Sequence, residues 1–539
     1  MISRIHSILF PGPEEPTWKL MIVGALCWVL SYPPFNLSFL APGLLLPVFA
    51  ILTGHKSHLR KTGEFYLYLL LAHSLTLYWI CFSTFAGGVL AILVNPVFML
   101  FPVLIWLLTH QWVSRRYQLF YLGCLWIGFE YLLSLWELAF PWMLLGHSQF
   151  LFSWVLEWAS AGGVWLVSFF VFLSSWWLWE SGQSHQKTGN WSRSYLMTGL
   201  AGFLFIMAGG WLLSLQPVQE DGSVRAAVIQ PNVDPWAKWD GDNEYQNLVQ
   251  LTGMTRKAAE TDSLIQLAIW PETAVSFYLL ADRGRFALDD IRLLSAQTGI
   301  QVATGYPHVT YFDDSTLAPP SARYSRIQNR YYLHYNAATL IDSGRSQIPY
   351  GKMMLVPFAE RVPWVDSVPF MKDLRFNLAG LGGWGKGQDT VVFALSGQDS
   401  IRFPLAICYE SAFPHLIREF TLRGATVLAV ITNDGWWGHT SGYSQHFEFS
   451  RLRAIENRRW VIRSANNGIS GFIDPHGKVI RKSEFWTDDI LIETAGLSSG
   501  QSLFMQWGHW VPVTLLILGF LLIPIALFSR LFVKATIRD

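Results

Sequence analysis

The stretch LAICYESAFP, residues 405–414, carries an apolar run that ends at Cys408 and continues into a tyrosine and a glutamate. A short apolar run bounded by polar residues is typical of a buried β-strand, and it places Cys408 at the carboxyl end of one. The other three cysteines, Cys27, Cys81 and Cys124, lie in long apolar segments. Cys408 is therefore the only thiol in a region of soluble composition, and it has no candidate disulfide partner. We interpret it as a candidate nucleophile, the alternative being an ordinary buried cysteine.

The composition of the chain is that of a membrane protein, but it is unevenly distributed. Only 14% of the 539 residues are charged, against roughly 25% in ordinary soluble proteins. The net charge of +1 gives no indication of a nucleic-acid partner. Residues 1–217 and 508–539 are dominated by apolar segments, whereas residues 218–507 resemble a globular domain. The sequence therefore predicts seven transmembrane helices, then a water-facing domain, then an eighth transmembrane helix with a short tail.

The predicted membrane spans are runs of about 20 apolar residues, the length needed to cross roughly 30 Å of hydrocarbon. They cover residues 18–33, 37–53, 65–85, 88–110, 117–136, 161–180, 195–215 and 508–530. Short apolar runs also occur in the cores of soluble proteins. Eight of them, almost free of charge, favour the membrane interpretation.

Lysine and arginine predict the orientation of these spans, because cytoplasmic loops are enriched in both. Every second connection is positive, through Arg4, Lys19, Lys56, Arg60, Lys61, Arg115, Arg116, Lys187, Arg193, Arg530, Lys534 and Arg538. The intervening loops near 34–37, 85–88 and 137–160 contain neither residue. We therefore expect both termini in the cytoplasm and domain 218–507 in the periplasm, which implies a multi-pass protein of a bacterial inner membrane.

Strand and helix patterns alternate along the water-facing domain, which predicts a layered α/β fold. The predicted strands lie in 224–234, 264–275, 300–308, 335–342, 401–411, 425–434, 460–468 and 469–480. The predicted helices lie in 288–299, in the stretch after residue 411 that ends near Arg423-Gly424, and in 444–459. Segments 309–334 and 353–400 are predicted to be loops. The second of these is a candidate lid over a functional site.

Polar residues follow several of these strands, namely Glu272, Cys408, Asn433 and Asp434. Ligand sites in open α/β sheets gather at the carboxyl ends of strands, so these residues are candidates for one site. A cysteine nucleophile needs a base to take its proton and a positive charge to stabilise an oxyanion. A glutamate and a lysine can supply both.

Other chemistries are less well supported by the sequence. A Cys–His pair remains an alternative, although His446 lies in a helical pattern typical of a structural residue and the direction of His415 is open. The stretch GLGGWGKG (380–387) approaches a phosphate-binding loop, but Gly387 occupies the position of the required Ser or Thr. We predict an ordinary flexible loop there.

Several motifs resemble one known family. WPE (270–272), YGKMMLVPFAERVP (350–363), ICYES (407–411) and ITNDGWWG (431–438) are similar, in this order, to the motifs of the nitrilase superfamily. Seven spans before such a domain and one after it resemble one branch of that superfamily, the apolipoprotein N-acyltransferases. The resemblance implies a nitrilase-like αββα sandwich and a Glu–Lys–Cys catalytic triad, without a metal or a cofactor.

The resemblance also implies roles for individual residues. Glu272 would be the general base, Lys352 would stabilise the oxyanion, and Cys408 would be the nucleophile. The supporting residues would be Glu360, Glu410 and Tyr409. The candidates for lining substrate or lipid access are Trp142, Trp239, Asn336 and Trp436, for which ordinary aromatic anchoring of the tryptophans is the alternative.

The implied reaction transfers a fatty acyl chain from a phospholipid, typically phosphatidylethanolamine, to the N-terminal diacylglyceryl-cysteine of an apolipoprotein through a thioester. The implied partners are the phospholipid donor, diacylated apolipoproteins and the membrane, and we expect a monomer. Two alternatives remain at this point, a membrane-tethered amidase acting on a small amide and a non-enzymatic scaffold or transporter. Gly435 and the insertion-like stretch 312–328 depart from the family pattern.

Overall fold

The computed structural model describes residues 2–238, 241–344, 348–368, 371 and 383–536. The chain divides into two compact units. The helical unit comprises Met1–Tyr78, Gly88–Gln216 and Trp507–Asp539, and the α/β unit comprises Trp79–Gly87 and Pro217–Gln506. The short segment Trp79–Gly87, between two helices of the first unit, therefore belongs to the second.

The first part of the chain is helical. Its helices are α1 (Ile2–Leu9), α2 (Trp18–Ser31), α3 (Leu46–Thr53), α4 (His58–Leu77), α5 (Ile80–Ser83), α6 (Phe85–Phe98), α7 (Leu100–Thr109), α8 (Gln118–Leu132), α9 (Ser153–Leu156), α10 (Ala159–Thr188) and α11 (Arg193–Ser214). Short 3₁₀ turns separate several of them, at Ser38–Gly43, His110–Trp112, Arg115–Tyr117 and Leu145–Ser148.

Within the described residues, three helical stretches are long and apolar enough to cross a membrane: Phe85–Trp112, Ala159–Thr188 and Arg193–Ser214. Shorter apolar helices cover Trp18–Ser31, Ser38–Thr53 and Trp510–Pro524. Helix α11 exposes large apolar side chains along its length, including Phe203, Leu204 and Phe205, each more than half exposed. Contiguous apolar surface of this kind is costly in water and suits a hydrocarbon environment.

The α/β unit is built on two sheets. Its strands are β1 (Ser223–Gln230), β2 (Leu267–Ile269), β3 (Gln301–Phe312), β4 (Arg323–Ser325), β5 (Arg330–Ile341), β6 (Tyr350–Gly351), β7 (Phe393–Leu395), β8 (Gln398–Phe403), β9 (Leu405–Ile407), β10 (Leu428–Thr432), β11 (Val461–Ala465), β12 (Gly471–Ile473), β13 (Val479–Lys482) and β14 (Asp489–Gly496). The later helices are α12 (Gly241–Thr261), α13 (Arg285–Thr298), α14 (Pro414–Leu422), α15 (Gly442–Asn457), α16 (Leu503–Trp507) and α17 (Trp510–Thr536).

The large sheet has the strand order β14-β1-β2-β3-β5-β4, with β6 added beside β5. The second sheet has the order β13-β12-β11-β10-β9, and β7 pairs with β8 separately. Strands β1, β2 and β3 are parallel neighbours, as are β9, β10 and β11. These central strands read as continuous apolar runs, because both of their faces are covered.

Helices cover the outer faces of the two sheets. Leu251 of α12 and Ile291 of α13 are buried against the large sheet, and each contributes roughly 1.5–3 kcal/mol by leaving water. Helix α15 packs on β11 and β12. The inner faces of the two sheets meet where β1 contacts β11, and the Ser464 hydroxyl donates to the Ile229 carbonyl at 3.3 Å. The result is a helix–sheet–sheet–helix sandwich, so the predicted nitrilase-like α/β domain is confirmed.

The predicted helix that ends in glycine is also confirmed. Helix α13 stops at Thr298, and Gly299 adopts a φ of +73°, a left-handed conformation that glycine reaches without steric cost. The predicted loop at 309–334 is partly wrong, because β3 runs to Phe312, β5 begins at Arg330, and β4 pairs with β5. The polar composition of this segment predicted a loop, but its aromatic and arginine side chains pack against one another across the paired strands. The Arg330 guanidinium lies 4.0 Å from the centre of the Tyr311 ring.

The predicted loop at 353–400 is also interrupted, because β7 and the start of β8 form a small antiparallel sheet near its end. Helix α12 was not predicted. Residues 369–370 and 372–382, within the candidate lid, lie outside the described residues, so the lid stays a prediction.

Candidate active site

The candidate site residues follow the ends of strands in both sheets. Glu272 follows β2, Lys352 follows β6, and Cys408 follows β9. The backbone turns sharply at two positions here, because Cys408 has a φ of +53° and Thr273 has a φ of +45°. Left-handed conformations of residues other than glycine are uncommon, and they cluster at functional sites.

A buried lysine between two carboxylates forms the centre of the site. The Lys352 amine lies 3.3 Å from Glu272 Oε1 and 2.8 Å from Glu360 Oε1. Only 1% of the lysine side chain is exposed. Burial by itself lowers the pKa of Lys352, but the negative charges of Glu272 and Glu360 outweigh it and hold the pKa well above its ordinary value. The amine is therefore a permanent positive charge in a dry environment, where it acts strongly on nearby charge.

Asn336 joins the two glutamates. Its side-chain NH₂ donates to Glu272 Oε1 at 2.8 Å and more weakly to Glu360 Oε1 at 3.4 Å, while its backbone carbonyl accepts from the backbone N–H of Lys352 at 2.8 Å. We predicted Asn336 as a candidate for substrate access. The structure places it buried beside both carboxylates, in β5, the strand that pairs with β6 just before the lysine.

The other oxygen of Glu272, Oε2, accepts from the backbone N–H of Asn433 at 3.1 Å. Nearby, Cys408 is 9% exposed. Burial raises the pKa of its thiol, Glu272 and Asp434 raise it further, and Lys352 opposes them. The thiol is therefore protonated at neutral pH, and it could act as a nucleophile only if a base removed its proton.

Glu410 connects the cysteine turn to the segment after Lys352. Its Oε1 accepts from the Tyr350 hydroxyl at 2.8 Å and the Met353 N–H at 2.6 Å, and its Oε2 accepts from the Ile407 N–H at 2.7 Å. Burial raises the pKa of Glu410 to about 7, although these hydrogen bonds and the Lys352 charge work against the rise. Its neighbour Tyr409 is buried, with its ring edge-on to Phe413 at 5.0 Å.

A buried network that the sequence did not reveal supports the cysteine backbone. Asp434 Oδ1 lies 2.8 Å from His446 Nδ1, and its Oδ2 accepts from Arg463 at 2.9 Å. His446 Nε2 lies 3.0 Å from the Cys408 carbonyl oxygen and 2.9 Å from the Ser411 hydroxyl. Burial raises the pKa of Asp434, but Arg463 and His446 outweigh it and lower the pKa to about 2.

One candidate metal cluster belongs to this network. A ligand atom from each of Cys408, Asp434 and His446 lies within 4.8 Å of the others. However, both carboxylate oxygens of Asp434 and both ring nitrogens of His446 already contact protein groups. The donors are arranged to hold one another and the cysteine backbone, which does not fit an open coordination site.

Lys238 is a second buried lysine beside Glu272, and sequence reasoning also missed it. Its amine donates to the Thr273 hydroxyl at 2.5 Å and to the Glu272 carbonyl at 3.3 Å. Burial lowers the pKa of Lys238 to about 7, and the charge of Glu272 opposes this shift. A lysine in a polar loop pattern normally predicts solvent exposure, so no local signal marks this one.

The predicted access residues are placed differently from one another. Trp436 is half-buried, and its ring is edge-on to the exposed Trp236 at 5.0 Å. Trp142 is buried within the helical unit, where it stacks on Phe140 at 5.6 Å. Trp239 lies outside the described residues.

The glycine-rich stretch near 383–387 packs against the site. The Gly387 N–H donates to the Lys352 carbonyl at 2.8 Å. A Cβ at Gly387 would lie 1.9 Å from the Gly351 carbonyl oxygen, so only glycine fits this close backbone approach. Its contacts place this stretch beside β6 and Lys352.

The family models match this architecture. Residues 225–503 match the carbon-nitrogen hydrolase family, so the α/β unit is a carbon-nitrogen hydrolase domain of the nitrilase type. Residues 24–177 match the apolipoprotein N-acyltransferase N-terminal domain.

Relatives match both regions together. The apolipoprotein N-acyltransferase of Chlorobaculum tepidum is 30% identical over 543 residues, which cover 97% of this chain and 96% of that protein. That of Geobacter metallireducens is 27% identical over 94% of both chains. The α/β region also aligns with Saccharomyces cerevisiae Nit3, of branch 10 of the nitrilase superfamily, at 15% identity and a TM-score of 0.37 over 55% of this chain and 96% of that one. On the sequence matches, the chain belongs to the apolipoprotein N-acyltransferase family, which confirms the resemblance.

Proposed function

We propose that this protein transfers a fatty acyl chain from a membrane phospholipid to the α-amino group of the N-terminal diacylglyceryl-cysteine of apolipoproteins. The single observation that carries the proposal is the buried Lys352 amine, held between Glu272 and Glu360 beside the buried Cys408 thiol. This arrangement supplies a base, a positive charge and a nucleophile in one water-poor site. The family and its relatives favour acyl transfer to a lipoprotein over hydrolysis of a small amide.

In the first half-reaction, Glu272 takes the thiol proton of Cys408 as Sγ attacks the carbonyl carbon of the phospholipid ester. The Lys352 ammonium stabilises the negative charge that develops on the carbonyl oxygen. When this tetrahedral intermediate collapses, the ester C–O bond breaks and the leaving alkoxide takes the proton from Glu272. The products are a lysophospholipid and an acyl thioester on Cys408.

In the second half-reaction, the neutral α-amino group of the apolipoprotein attacks the thioester carbonyl, and Glu272 removes a proton from the attacking nitrogen. Lys352 again stabilises the oxyanion. Collapse breaks the C–S bond, and the departing Cys408 sulfur takes the proton from Glu272. The amide product leaves and the enzyme returns to its starting state, which gives ping-pong kinetics.

The supporting residues position the three proposed catalytic residues and do not themselves transfer protons or form bonds. Glu360 supplies the second negative charge that fixes the Lys352 amine, and its Oε2 is held by the Val356 N–H at 2.8 Å. Glu410 holds the cysteine turn, and Tyr409 packs beside it. The aromatic pair of Trp236 and Trp436 is an apolar surface suited to an acyl chain. We retain the segment 353–400 as a lid.

The proposal extends to the membrane arrangement. Eight spans place both termini in the cytoplasm and the α/β unit in the periplasm, with region boundaries at 217 and 507. Alternating lysine and arginine in the connections supports this topology, as do the apolar helices of the helical unit. Both lipid substrates keep their acyl chains in the bilayer, so an enzyme that joins them must work at its surface.

The proposal is tested with the purified full chain, phosphatidylethanolamine and a synthetic diacylated lipopeptide. We expect a triacylated peptide and a lysophospholipid in equal amounts. Without the lipopeptide, we expect an acyl adduct on Cys408 by intact-protein mass spectrometry, and no adduct in Cys408→Ala. If no triacylated peptide forms while a simple amide is hydrolysed, the chain is an amidase. Full activity in Cys408→Ala would exclude the thioester.

A further inference from the structure

A small cavity lies inside the helical unit, apart from the residues assigned to catalysis. It measures about 40 Å³, room for about three water-sized groups. Its wall contains six aromatic rings, which are those of Trp28, His73, Trp126, Trp136, Phe98 and Phe140, together with the side chain of Glu130. An aromatic box with one carboxyl group is the chemistry that recognises alkylammonium groups.

One buried polar atom on this wall, Glu130 Oε2, lacks a hydrogen-bond partner among the described residues. Glu130 is 4% exposed and Trp28 is 1% exposed. Glu130 Oε1 accepts from the Trp126 indole at 3.2 Å and the Leu145 N–H at 3.1 Å, whereas Oε2 has no hydrogen-bond partner. Ser168 also hydrogen-bonds the Glu130 carboxyl group, and the Trp28 side chain hydrogen-bonds Tyr32. A buried polar atom without a partner is costly, so Glu130 Oε2 calls for a ligand that donates to it.

Glu130 Oε2 requires a hydrogen-bond donor. An ethanolamine headgroup supplies one through its ammonium group. Its two carbons and its nitrogen also match the room available. A glycerol headgroup lacks the cation, and a choline headgroup lacks the N–H donor.

We propose that this cavity binds the ammonium end of an aminophospholipid headgroup through Glu130 and the surrounding aromatic rings. In the proposed topology, Trp28 and Glu130 lie near the ends of α2 and α8 that face loops 34–37 and 137–160, on the periplasmic side of the bilayer. Asn95, Phe98 and Trp136 on its wall are only half-buried, which leaves a side accessible to lipid. This inference rests on the proposed function, because the cavity would set which headgroup the phospholipid acyl donor carries.

The test uses the full chain carrying Cys408→Ala, which cannot form the thioester, so the binding result is independent of acyl transfer. Native mass spectrometry measures binding of dioctanoyl phosphatidylethanolamine and dioctanoyl phosphatidylglycerol to the detergent-solubilised protein. We expect the ethanolamine lipid to bind about tenfold more tightly, as one charge-assisted hydrogen bond provides. Phosphatidylcholine should bind no more tightly than the glycerol lipid, because its three N-methyl groups exceed the room available and it has no N–H donor.

The decisive variant is Glu130→Gln, which can keep the hydrogen bonds of Oε1 but replaces the free acceptor with a donor. We expect it to abolish the preference for ethanolamine. The matched control is Glu180→Gln, because Glu180 also accepts from a tryptophan four residues earlier, Trp176, at 3.3 Å, but does not line the cavity. This control should keep the full preference.

A second variant, Trp28→Leu, removes one ring of the aromatic wall, and we expect about a threefold loss of affinity for the ethanolamine lipid. A preference that survives Glu130→Gln would overturn the proposal. So would equal binding of the two lipids to the parent protein, which would mean that the cavity holds water only. Acyl transfer by the parent enzyme, measured separately, reports on the proposed function alone.

Discussion

At the scale of single residues, the site depends on charges that are buried and mutually compensated. Lys352 lies between Glu272 and Glu360, and Asp434 lies between His446 and Arg463. A buried charge is expensive unless it is paired, so removing one member of such a set costs more than the contact itself contributes. Residue substitutions should therefore separate catalytic electrostatics from support of the fold.

We expect Glu360→Gln to lower kcat by roughly 10²-fold, the scale of losing one well-placed electrostatic group. The variant keeps the shape of the side chain but removes one of the two charges that position the Lys352 amine. Acyl-enzyme formation, followed by mass spectrometry, measures the effect. Glu260→Gln, at an exposed position on α12, is the control and should behave as the parent. An unchanged rate in Glu360→Gln would show that Glu272 alone fixes the lysine.

The buried Asp434 predicts a loss of stability in acid. Its pKa is lowered to about 2 in the folded protein, against about 3.9 in an unfolded chain. A lowered carboxyl pKa stabilises the fold at pH values above the unfolded pKa, and this stabilisation disappears as the pH falls through the folded pKa. Two pKa units correspond to about 3 kcal/mol.

The measurement is the melting temperature of the parent and of Asp434→Asn between pH 6 and pH 2. We expect the parent to be more stable at pH 6 and the difference to shrink steadily below pH 4. A difference that stays constant down to pH 2 would contradict the assigned ion pair with Arg463.

At the scale of elements, short turns after strands set the geometry of the site. The turn after β2 presents the Glu272 carboxyl group, and Lys238 holds that turn through the Thr273 hydroxyl and the Glu272 carbonyl. The turn after β9 presents Cys408, and Glu410 and His446 hold its backbone. In each turn, a side chain that is distant in sequence, Lys238 or His446, hydrogen-bonds a backbone carbonyl or hydroxyl group. These groups have no partner within a regular strand or helix, because the turn interrupts both.

We expect Lys238→Met to lower kcat about tenfold while the KM for the phospholipid changes little, because the lysine holds the turn that carries the base. Lys238→Arg should recover part of the rate, since it restores a donor to Thr273. Lys257→Met, at an exposed position on α12, is the control. A change in KM alone would instead assign Lys238 to substrate binding.

At the scale of the whole molecule, the α/β unit is assembled from more than the continuous stretch 217–506. The segment Trp79–Gly87 joins it, and the Trp79 indole donates to Gln445 at 3.1 Å and lies 4.6 Å from the ring of Trp437. A segment between two parts of the helical unit thus contributes a buried tryptophan to the unit that carries the candidate site. Truncation to residues 217–506 would remove this contact.

The topology predicts which loops face the cell exterior. In a variant whose native cysteines are replaced, Thr316→Cys should react with a membrane-impermeant maleimide on spheroplasts, and Ser114→Cys should react only after lysis. Both positions are exposed in the structure, so access to the reagent decides the outcome. Labelling of Ser114→Cys on intact spheroplasts would reverse the proposed orientation.

The sequence by itself determined the properties that depend on local composition and order. Apolar runs predicted the helical unit, alternating strand and helix patterns predicted the α/β unit, and the ordered motifs around Glu272, Lys352 and Cys408 identified the family. Strand ends were visible because a change from apolar to polar residues is local. The hairpin between β3 and β5 was not visible, because its polar and aromatic residues pack across strands.

Only the tertiary structure decided which distant residues meet. It placed Asn336 beside both carboxylates, Lys238 under the turn after β2, and Asp434, His446 and Arg463 in one buried network. It also placed Glu130, whose Oε2 has no hydrogen-bond partner, on the wall of a cavity. These contacts join residues separated by tens to hundreds of positions, and burial makes their charges matter because water no longer screens them. Neither separation in space nor burial is encoded by any local pattern in the sequence.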